Sequence, residues 1–343
     1  METNCRYDLG AATDWSPEQL RALIREARNV VVVGHQHADG DAVGSVSAIA
    51  GVLGHFAHVT PMLPDGVPDD LRWFPGSEAI LDGNGDADRC RQAIAEADLI
   101  VAVDMNGFDR AGCLTGMLFA SKAHRLLVDH HEMPVSSQFD AVVSDPEISS
   151  ACELVYWLAS ALFGTDAIDR DIATCLYAGI CTDTGTFAYS NTHPSLYLAA
   201  ADLVTRGIDP MYINRRIKNV FPVNRMRFFG YAVSKLMTVY LPQQVALLVM
   251  TREDMDRFGV DSSEMTGLIN EVMRLRDIDC GVLIREEADS VRLSFRSKER
   301  YDVNVLAREL FTGGGHVRAA GATSHLSLEE TVVKVKQRLQ LEP

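Results

Sequence analysis

The stretch NVVVVGHQHADGDAVGS, residues 29–45, decides the fold of the first half of this chain. It opens with a continuous β-branched run, which is typical of a strand covered on both faces of a parallel sheet. Two histidines and two aspartates then follow within residues 35–41. Such a cluster fits either a polar turn that closes a buried strand or the first half of a metal site, and the stretch alone leaves both open.

Similar apolar runs recur downstream, and several of them also end in polar residues. The predicted strands are AHVTPML (57–63), ADLIVAVD (97–104), RLLVDHH (125–131) and DAVVSD (140–145), with helical stretches between several of them. This alternation predicts an α/β fold with an N-terminal domain built on a doubly wound, mostly parallel sheet. Because open α/β sheets bind ligands at the carboxyl ends of their strands, the polar residues are expected to meet in one crevice.

The pattern changes near residue 230. Strand-like and helical segments follow, namely QVALLVM (244–250), DCGVLIRE (279–286), SVRLSFRS (290–297), VNVLARELF (303–311) and SLEETVVKVKQRLQ (327–340). They predict a smaller C-terminal α/β domain, and a length of 343 residues also favours two domains. We assign residues 1–195 to the first domain, 196–229 to a helical connector and 230–343 to the second domain, with a cleft between the domains.

Composition narrows the class of protein. The formal net charge of −15 argues against binding long duplex DNA through a broad basic face. No apolar run approaches the ~20 residues of a membrane span, and METNCRYDLG at the start lacks the features of a secretory signal. Seven cysteines without a CxxC pair fit reduced thiols. We therefore expect a cytoplasmic protein that does not act at a membrane.

Six polar residues that follow predicted apolar segments form a candidate metal site. They are His35, Asp39, Asp41, Asp104, His130 and Asp183. Four carboxylates repel one another strongly when they are buried together, so cations are needed among them. Carboxylate and imidazole ligands suit manganese, zinc, iron or cobalt. Magnesium is a weaker match for this set because of the histidines. Two ions ~3.5–4 Å apart would need a bridging carboxylate.

The motifs, taken in order, resemble those of the DHH phosphoesterase family. They are HQHADGDAVGS (35–45), Asp104 in VAVDMNGFDRAG (101–112), Asp129-His130-His131, and Asp183 in CTDTG (181–185). The tail GGGHVRAAG (313–321), together with SFRS (294–297), resembles the DHH-associated C-terminal domain. Many members carry Asn-Pro where this chain has His37-Ala38. We expect His37 to have a supporting or surface role, with substrate contact as the alternative.

The resemblance implies a site for two manganese ions. His35 and Asp39 would hold the first ion, and Asp41, His130 and Asp183 would hold the second. Asp104 would bridge the two ions. Because two cations that share a water lower its pKa, the family chemistry is hydrolysis by a two-metal-activated hydroxide.

Two neighbours of these ligands receive catalytic roles from the same resemblance. Asp129 would orient an imidazole. His131 would face the scissile phosphate as a hydrogen-bond donor or general acid. Arg110, beside Asp109, could bind phosphate or pair with a neighbouring carboxylate, and we favour the pairing.

The C-terminal domain would bind the far end of the substrate. The resemblance assigns this role to Arg296, Ser297, Gly313, Gly314, Gly315 and His316. The three glycines would let backbone N–H groups approach an anion, whereas a tight turn before a helix is the structural alternative. Arg318 is a weaker candidate. The basic cluster NRRIK (214–218) is expected to be a solvated helix face, with nucleic-acid contact as the alternative.

Length and layout resemble the stand-alone, NrnA-like nanoRNase and pAp-phosphatase type of this family. That type hydrolyses short oligoribonucleotides (nanoRNA) and 3′-phosphoadenosine 5′-phosphate (pAp). The alternative is a phosphodiesterase for cyclic di-AMP or its linear product pApA. A nucleotide-binding sensor without turnover is the third reading. The resemblance also allows a homodimer.

Overall fold

The chain folds into two units, each built around its own sheet. The computed structural model describes residues 7–188, 192–218, 222–261, 265 and 267–341. The units are Met1–Val220 and Phe221–Pro343, and each contains a six-stranded sheet. The prediction of a parallel α/β domain followed by a smaller α/β domain is therefore confirmed. The boundaries at 195 and 229, the connector and the cleft stay predictions.

The sheet of the first unit is entirely parallel, in the order β3-β2-β1-β4-β5-β6. Its strands are β1 (Asn29–Val33), β2 (His58–Leu63), β3 (Leu81–Asp82), β4 (Leu99–Val103), β5 (His124–Asp129) and β6 (Ala141–Ser144). Its helices are α1 (Pro17–Glu26), α2 (Gly40–Leu53), α3 (Ala87–Glu96), α4 (Thr115–Ala120), α5 (Ala151–Phe163), α6 (Arg170–Asp183), α7 (Pro194–Thr205) and α8 (Pro210–Lys218). The chain order reverses between β1 and β4, which is where such sheets bind ligands.

Helices cover both faces of this sheet. Val30 and Val32 of β1 belong to the core shared with α1, α2, α5 and α6. Val31 and Val33 belong to the core shared with α3 and α4. Successive side chains of a strand point to opposite faces, so a strand with two covered faces is apolar throughout. This explains the continuous valine run.

The packing of α2 against α6 depends on small residues. A Cβ placed on Gly44 of α2 would lie 2.8 Å from the Cys175 carbonyl oxygen of α6 and 2.9 Å from the Cys152 sulfur of α5. Contacts this short exclude a side chain unless a backbone moves. Gly44 therefore allows α2 to pack closely against α5 and α6.

The second unit has a mixed sheet in the order β11-β12-β10-β9-β8-β7, with β8 and β9 parallel and the other pairs antiparallel. Its strands are β7 (Met237–Tyr240), β8 (Val245–Met250), β9 (Cys280–Glu286), β10 (Val291–Ser297), β11 (Thr312–His316) and β12 (Ala319–Ser324). Its helices are α9 (Val223–Tyr231), α10 (Arg252–Phe258), α11 (Leu268–Met273), α12 (Val303–Leu310) and α13 (Leu328–Arg338).

Two further observations concern the described residues alone. Cys90, Cys113, Cys152, Cys175, Cys181 and Cys280 are free thiols, whereas Cys5 lies outside the described part of the chain. None of the described helices combines the length and the apolar character that crossing a bilayer would require.

Gly44→Ala should destabilise the first unit. We expect the free energy of unfolding in urea to fall by about 1–3 kcal/mol, because the added methyl overpacks a closed contact. Gly116→Ala in α4 is the control: nothing lies within 4 Å of its added Cβ, so a gain of about 0.5–1 kcal/mol is expected. Equal stabilities for the Gly44 variant and the wild-type protein would contradict the packing argument.

Candidate metal centre

Strand and helix ends bring the six predicted metal ligands to one place. His35 follows β1, Asp104 follows β4 and His130 follows β5. Asp39 and Asp41 lie at the start of α2, and Asp183 is the last residue of α6. The described residues form two converging triads, His35–Asp39–Asp104 and Asp41–His130–Asp183, with one ligand atom from each residue within 4.8 Å of the others.

Asp104 lies between the two triads. Its Oδ2 is 3.4 Å from His35 Nε2, and its Oδ1 is 3.4 Å from His130 Nε2. The side chain is almost fully buried, and the residue has a left-handed backbone with φ of 56°. Asp and Asn tolerate this conformation better than other residues with a side chain. The two carboxylate oxygens thus face different imidazoles.

The first triad keeps its ligand atoms available through hydrogen bonds made elsewhere. His35 Nδ1 donates to the Gln36 carbonyl at 2.7 Å, so Nε2 is the ring nitrogen that faces Asp104. Asp39 caps α2, its Oδ1 accepting from the N–H groups of Asp41 and Ala42. Histidine ligands of metals are commonly oriented by a carbonyl in this way.

The second triad is built around His130. Its Nε2 lies 3.4 Å from Asp183 Oδ2 and 3.7 Å from Asp41 Oδ2. Asp41 is fully buried and accepts hydrogen bonds from the N–H groups of Ala151 at 2.7 Å and Cys152 at 2.9 Å. These donors are the first amides of α5, and a helix N-terminus stabilises an anion. The sequence analysis did not predict this contact, although a serine before a helical stretch, here Ser150, indicates a helix N-terminus.

The carboxylates and imidazoles perturb each other strongly. Burial and the charges of Asp104 and Asp183 raise the pKa of Asp41. Burial also raises the pKa of Asp183 to about 6, although the His130 charge acts in the opposite direction. Burial lowers the pKa of His130, but the hydrogen bond with Asp104 and the charge of Asp41 outweigh it and raise that pKa to about 10. Without a metal ion, protons therefore supply part of the positive charge that the cluster needs.

This donor set fits a divalent cation. Imidazole nitrogens and carboxylate oxygens converge there, and Asp41 and Asp104 are buried, which is costly for carboxylates unless positive charge compensates them. Ligands of this type suit manganese, iron, cobalt or zinc. Asp104, His130 and His131 form a further converging group, but the His131 nitrogen near Asp104 already binds Asp129.

His131 lies in a chain of three polar side chains. Its Nδ1 is 2.8 Å from Asp129 Oδ1, and its Nε2 is 3.0 Å from Arg110 Nη1. Arginine only donates, so Nε2 accepts and Nδ1 carries the proton that is donated to Asp129.

Our expectation that Arg110 pairs with a carboxylate was wrong. Among the described residues, its guanidinium contacts His131, and the adjacent Asp109 accepts instead from Gln138 Nε2 at 3.1 Å. The Arg110 carbonyl also accepts from the Gln36 N–H at 2.8 Å, which ties this loop to the loop after β1. The sequence feature that could have indicated this contact is the position of Arg110 in the loop after β4, at the same sheet edge as Asp104.

His37 lies at the surface beside this site. Its side chain is 85% exposed, and Nδ1 is 3.2 Å from Asp65 Oδ2. No other charged partner of His37 occurs among the ion pairs of the described residues.

In the second unit, Arg296 and His316 lie in one cross-strand row. Arg296 of β10 is opposite Ala319 of β12, which is opposite His316 of β11. Directly opposed residues point to the same face, so the two side chains lie on one face, roughly 10 Å apart across two strand spacings. Ser297 is buried and donates to the Tyr301 carbonyl at 2.6 Å.

Gly313, Gly314 and Gly315 form part of an edge strand, so the alternative of a turn before a helix was wrong, and their approach to an anion stays a prediction. β11 pairs with β12 on one side only. A Cβ on Gly313 would lie 2.4 Å from the Gly321 carbonyl oxygen, which explains the need for glycine. The turn of this hairpin is held by Arg318, whose Nη1 donates to the Glu299 and Tyr301 carbonyls.

Comparison with known proteins places this geometry in a family. Residues 29–180 match the N-terminal domain of the DHH family, and residues 242–340 match the DHHA1 domain. A crystal structure of an exopolyphosphatase-related protein from Bacteroides fragilis superposes with a TM-score of 0.88 at 31% identity, covering 94% of this chain and 95% of that one.

Two curated relatives have named activities. The bifunctional oligoribonuclease and PAP phosphatase NrnA of Thermus thermophilus is 27% identical, over 96% of this chain and 95% of its own length. The cyclic-di-AMP phosphodiesterase GdpP of Bacillus subtilis is 22% identical, over 93% of this chain and 49% of its own length. The resemblance inferred from the motifs is confirmed: this chain belongs to the DHH family of phosphoesterases and carries a DHHA1 domain.

Proposed function

We propose that this protein is a manganese-dependent phosphoesterase that hydrolyses short oligoribonucleotides and pAp. The observation that carries the proposal is the position of Asp104, which belongs to the first triad and lies with its other carboxylate oxygen 3.4 Å from His130 of the second. A carboxylate within reach of both groups suits a two-metal phosphoesterase. The similarity to NrnA extends over nearly the full length of both chains and supports this choice of substrate. The free thiols fit a reducing cytoplasm.

The ligand assignment follows the two triads. His35 and Asp39 would hold one ion, Asp41, His130 and Asp183 would hold the other, and Asp104 would serve both. Two divalent cations bound there would lower the pKa of a water molecule and neutralise charge on the phosphoryl oxygens. The protein's contribution is to hold the carboxylates in place through the α2 cap and the α5 amides.

The neighbouring polar chain would act on the substrate. Asp129 holds His131 in the tautomer with a proton on Nδ1. In the free protein Nε2 accepts from Arg110, so His131 gains a donor on Nε2 only if a proton is added or the tautomer changes. We therefore assign the positive charge that meets the phosphate to Arg110, with His131 positioning it.

The second unit would supply the recognition of the far end of the substrate. Arg296 and His316 lie on one face of the sheet with the small side chain of Ala319 between them. A guanidinium and an imidazole across a small residue suit a terminal phosphate or a sugar. Ser297 and Gly313–Gly315 would shape this row rather than contact the ligand through side chains.

The alternative is a phosphodiesterase for cyclic di-AMP or pApA. The similarity to GdpP over most of this chain favours it, although the chain spans only 49% of that protein. The metal centre serves both reactions, so the choice depends on substrate recognition. A nucleotide-binding sensor without turnover would bind the same ligands and leave them intact.

A substrate panel tests the function. With Mn²⁺, kcat/KM should be highest and comparable for pAp and diribonucleotides, and lower for pApA, cyclic di-AMP, single-stranded DNA, pyrophosphate and short polyphosphate. Asp104→Asn keeps the left-handed backbone accessible but removes the shared charge, and should lower kcat/KM by more than the roughly 10–100-fold typical of residues outside the ligand set. His37→Asn is the control in the neighbouring loop and should match wild type. A clear preference for cyclic di-AMP would select the alternative.

Metal binding should depend on pH in a direction set by the groups whose pKa values are shifted. Asp183 and Asp41 have raised pKa values and His130 has a pKa of about 10, so rising pH removes protons that compete with cations. The apoprotein loses stability as pH rises through these values, because the folded state binds the extra protons. The gain in Tm on adding Mn²⁺ should therefore increase from pH 5 to pH 8 in thermal denaturation. A gain that is constant over this range would contradict the assignment of the ligands.

Arg110→Gln tests the cation that contacts His131. Loss of a charge-assisted hydrogen bond to phosphate should lower kcat/KM for pAp by about 10–100-fold. Mn²⁺ affinity, measured by calorimetry, should be unchanged because Arg110 is not a ligand. Arg110→Lys keeps the positive charge but lacks the forked pair of donors. Its kcat/KM should therefore fall between those of Arg110→Gln and the wild-type protein. A variant with wild-type kcat/KM would show that Arg110 only supports the loop.

A further inference from the structure

The α8 strip is a cationic and aromatic surface of the first unit that the metal centre does not use. We define it as Tyr212, Arg215, Arg216 and Lys218 of α8 together with Trp73. The four α8 side chains are exposed. Among the ion pairs of the described residues, none joins the three cations to a carboxylate, in a chain whose net charge is −15. Three unpaired neighbouring cations attract an anion more strongly than paired ones do.

Aromatic rings lie among these cations. The Arg216 guanidinium is 5.7 Å from the centroid of the Trp73 ring. The Trp73 and Tyr212 centroids are 6.1 Å apart with the ring planes at 88°. Tyr212 is 48% exposed, so part of its ring is open to a stacking partner. Surfaces that bind single-stranded nucleic acid combine these two features, cations for the phosphates and rings for the bases.

The strip lies beside the helices that carry metal ligands. Beneath it, Ile213 is buried in the same core as α2 and α6. α8 packs against α6, and Asp183 is the last residue of α6. Trp73 packs on Phe74, and Phe74 meets Gly44 of α2. A strand leaving the metal centre along α6 would therefore reach the strip.

We propose that the α8 strip binds the nucleotides of a single-stranded RNA that lie beyond the scissile phosphate. This inference rests on the proposed oligoribonuclease function and names the feature that lets longer nanoRNA bind. From Tyr212 to Lys218 the helix rises about 9 Å, which suits a short extended strand rather than a duplex groove. Dinucleotides and pAp are too short to reach it. The alternative of a solvated basic face gives no reason for the rings.

The test compares substrates of different length. For Arg215→Gln/Arg216→Gln, kcat/KM on a pentaribonucleotide should fall about tenfold or more through a higher KM, and that on pAp should stay within about twofold. The slope of log kcat/KM against log salt for the pentamer should become less steep by about 1.4, since two phosphate contacts are lost. Tyr212→Ala should lower the pentamer value by roughly tenfold through lost stacking.

The matched control is Arg89→Gln/Arg91→Gln. It removes the same charge from exposed arginines of α3, which packs on the other face of the sheet. Both substrates should be hydrolysed as by wild type, and circular dichroism should give native Tm values for every variant. An equal loss on pAp and pentamer, an unchanged pentamer value or an equal effect of the control would each overturn the proposal.

A binding assay separates this proposal from the proposed function. Fluorescence anisotropy of a labelled pentaribonucleotide in EDTA measures association without hydrolysis. If no substrate is hydrolysed but the strip variants still lose RNA affinity, the proposed function is wrong and the proposal that the α8 strip binds RNA is supported. If hydrolysis occurs and the variants bind RNA like the wild-type protein, only the proposal that the α8 strip binds RNA is contradicted. Unchanged RNA binding with a shift of oligomeric state in size-exclusion chromatography would assign the strip to a protein contact.

Discussion

Mutual repulsion among buried carboxylates is the constraint on which the first unit depends. Asp41 and Asp104 are almost fully buried, and Asp183 lies within reach of the same imidazole. At such distances like charges cannot all ionise without positive charge between them. The fold supplies some of it through His35, His130 and the amides at the start of α5. The remaining deficit of positive charge makes the cluster able to hold a cation.

The two helices α2 and α6 show how the fold sets this deficit. Asp39 and Asp41 lie at the N-terminal end of α2, where the helix dipole favours negative charge. Asp183 lies at the C-terminal end of α6, where the dipole disfavours it. Close packing through Gly44 brings the two ends together. The helix dipoles therefore stabilise the negative charges of Asp39 and Asp41 and destabilise that of Asp183. A bound cation would compensate the charge of Asp183.

The sequence reveals those parts of this arrangement that are local. A valine run predicts a buried strand, and polar residues after such runs predict where the ligands meet, as seen for His35 and Asp104. The contacts of Asp41 with α5 and of Arg110 with His131 join residues far apart in the chain, and single-sequence patterns do not show them. The edge strand with Gly313–Gly315 was missed for a different reason, since glycine lacks strand propensity and pairing with β12 alone keeps it extended.

Under the proposed function, the net charge of the chain would contribute to substrate selectivity. A chain at −15 repels polyanions at a distance, so an RNA gains affinity only where local positive charge is concentrated. Under the proposed function, such charge would come from cations bound at the metal centre, from Arg296 and from the α8 strip. A short substrate would contact little of the repulsive surface, whereas a long duplex would be repelled along its whole length. An acidic protein with isolated cationic sites would thereby be suited to the small nucleotides that the proposed function names.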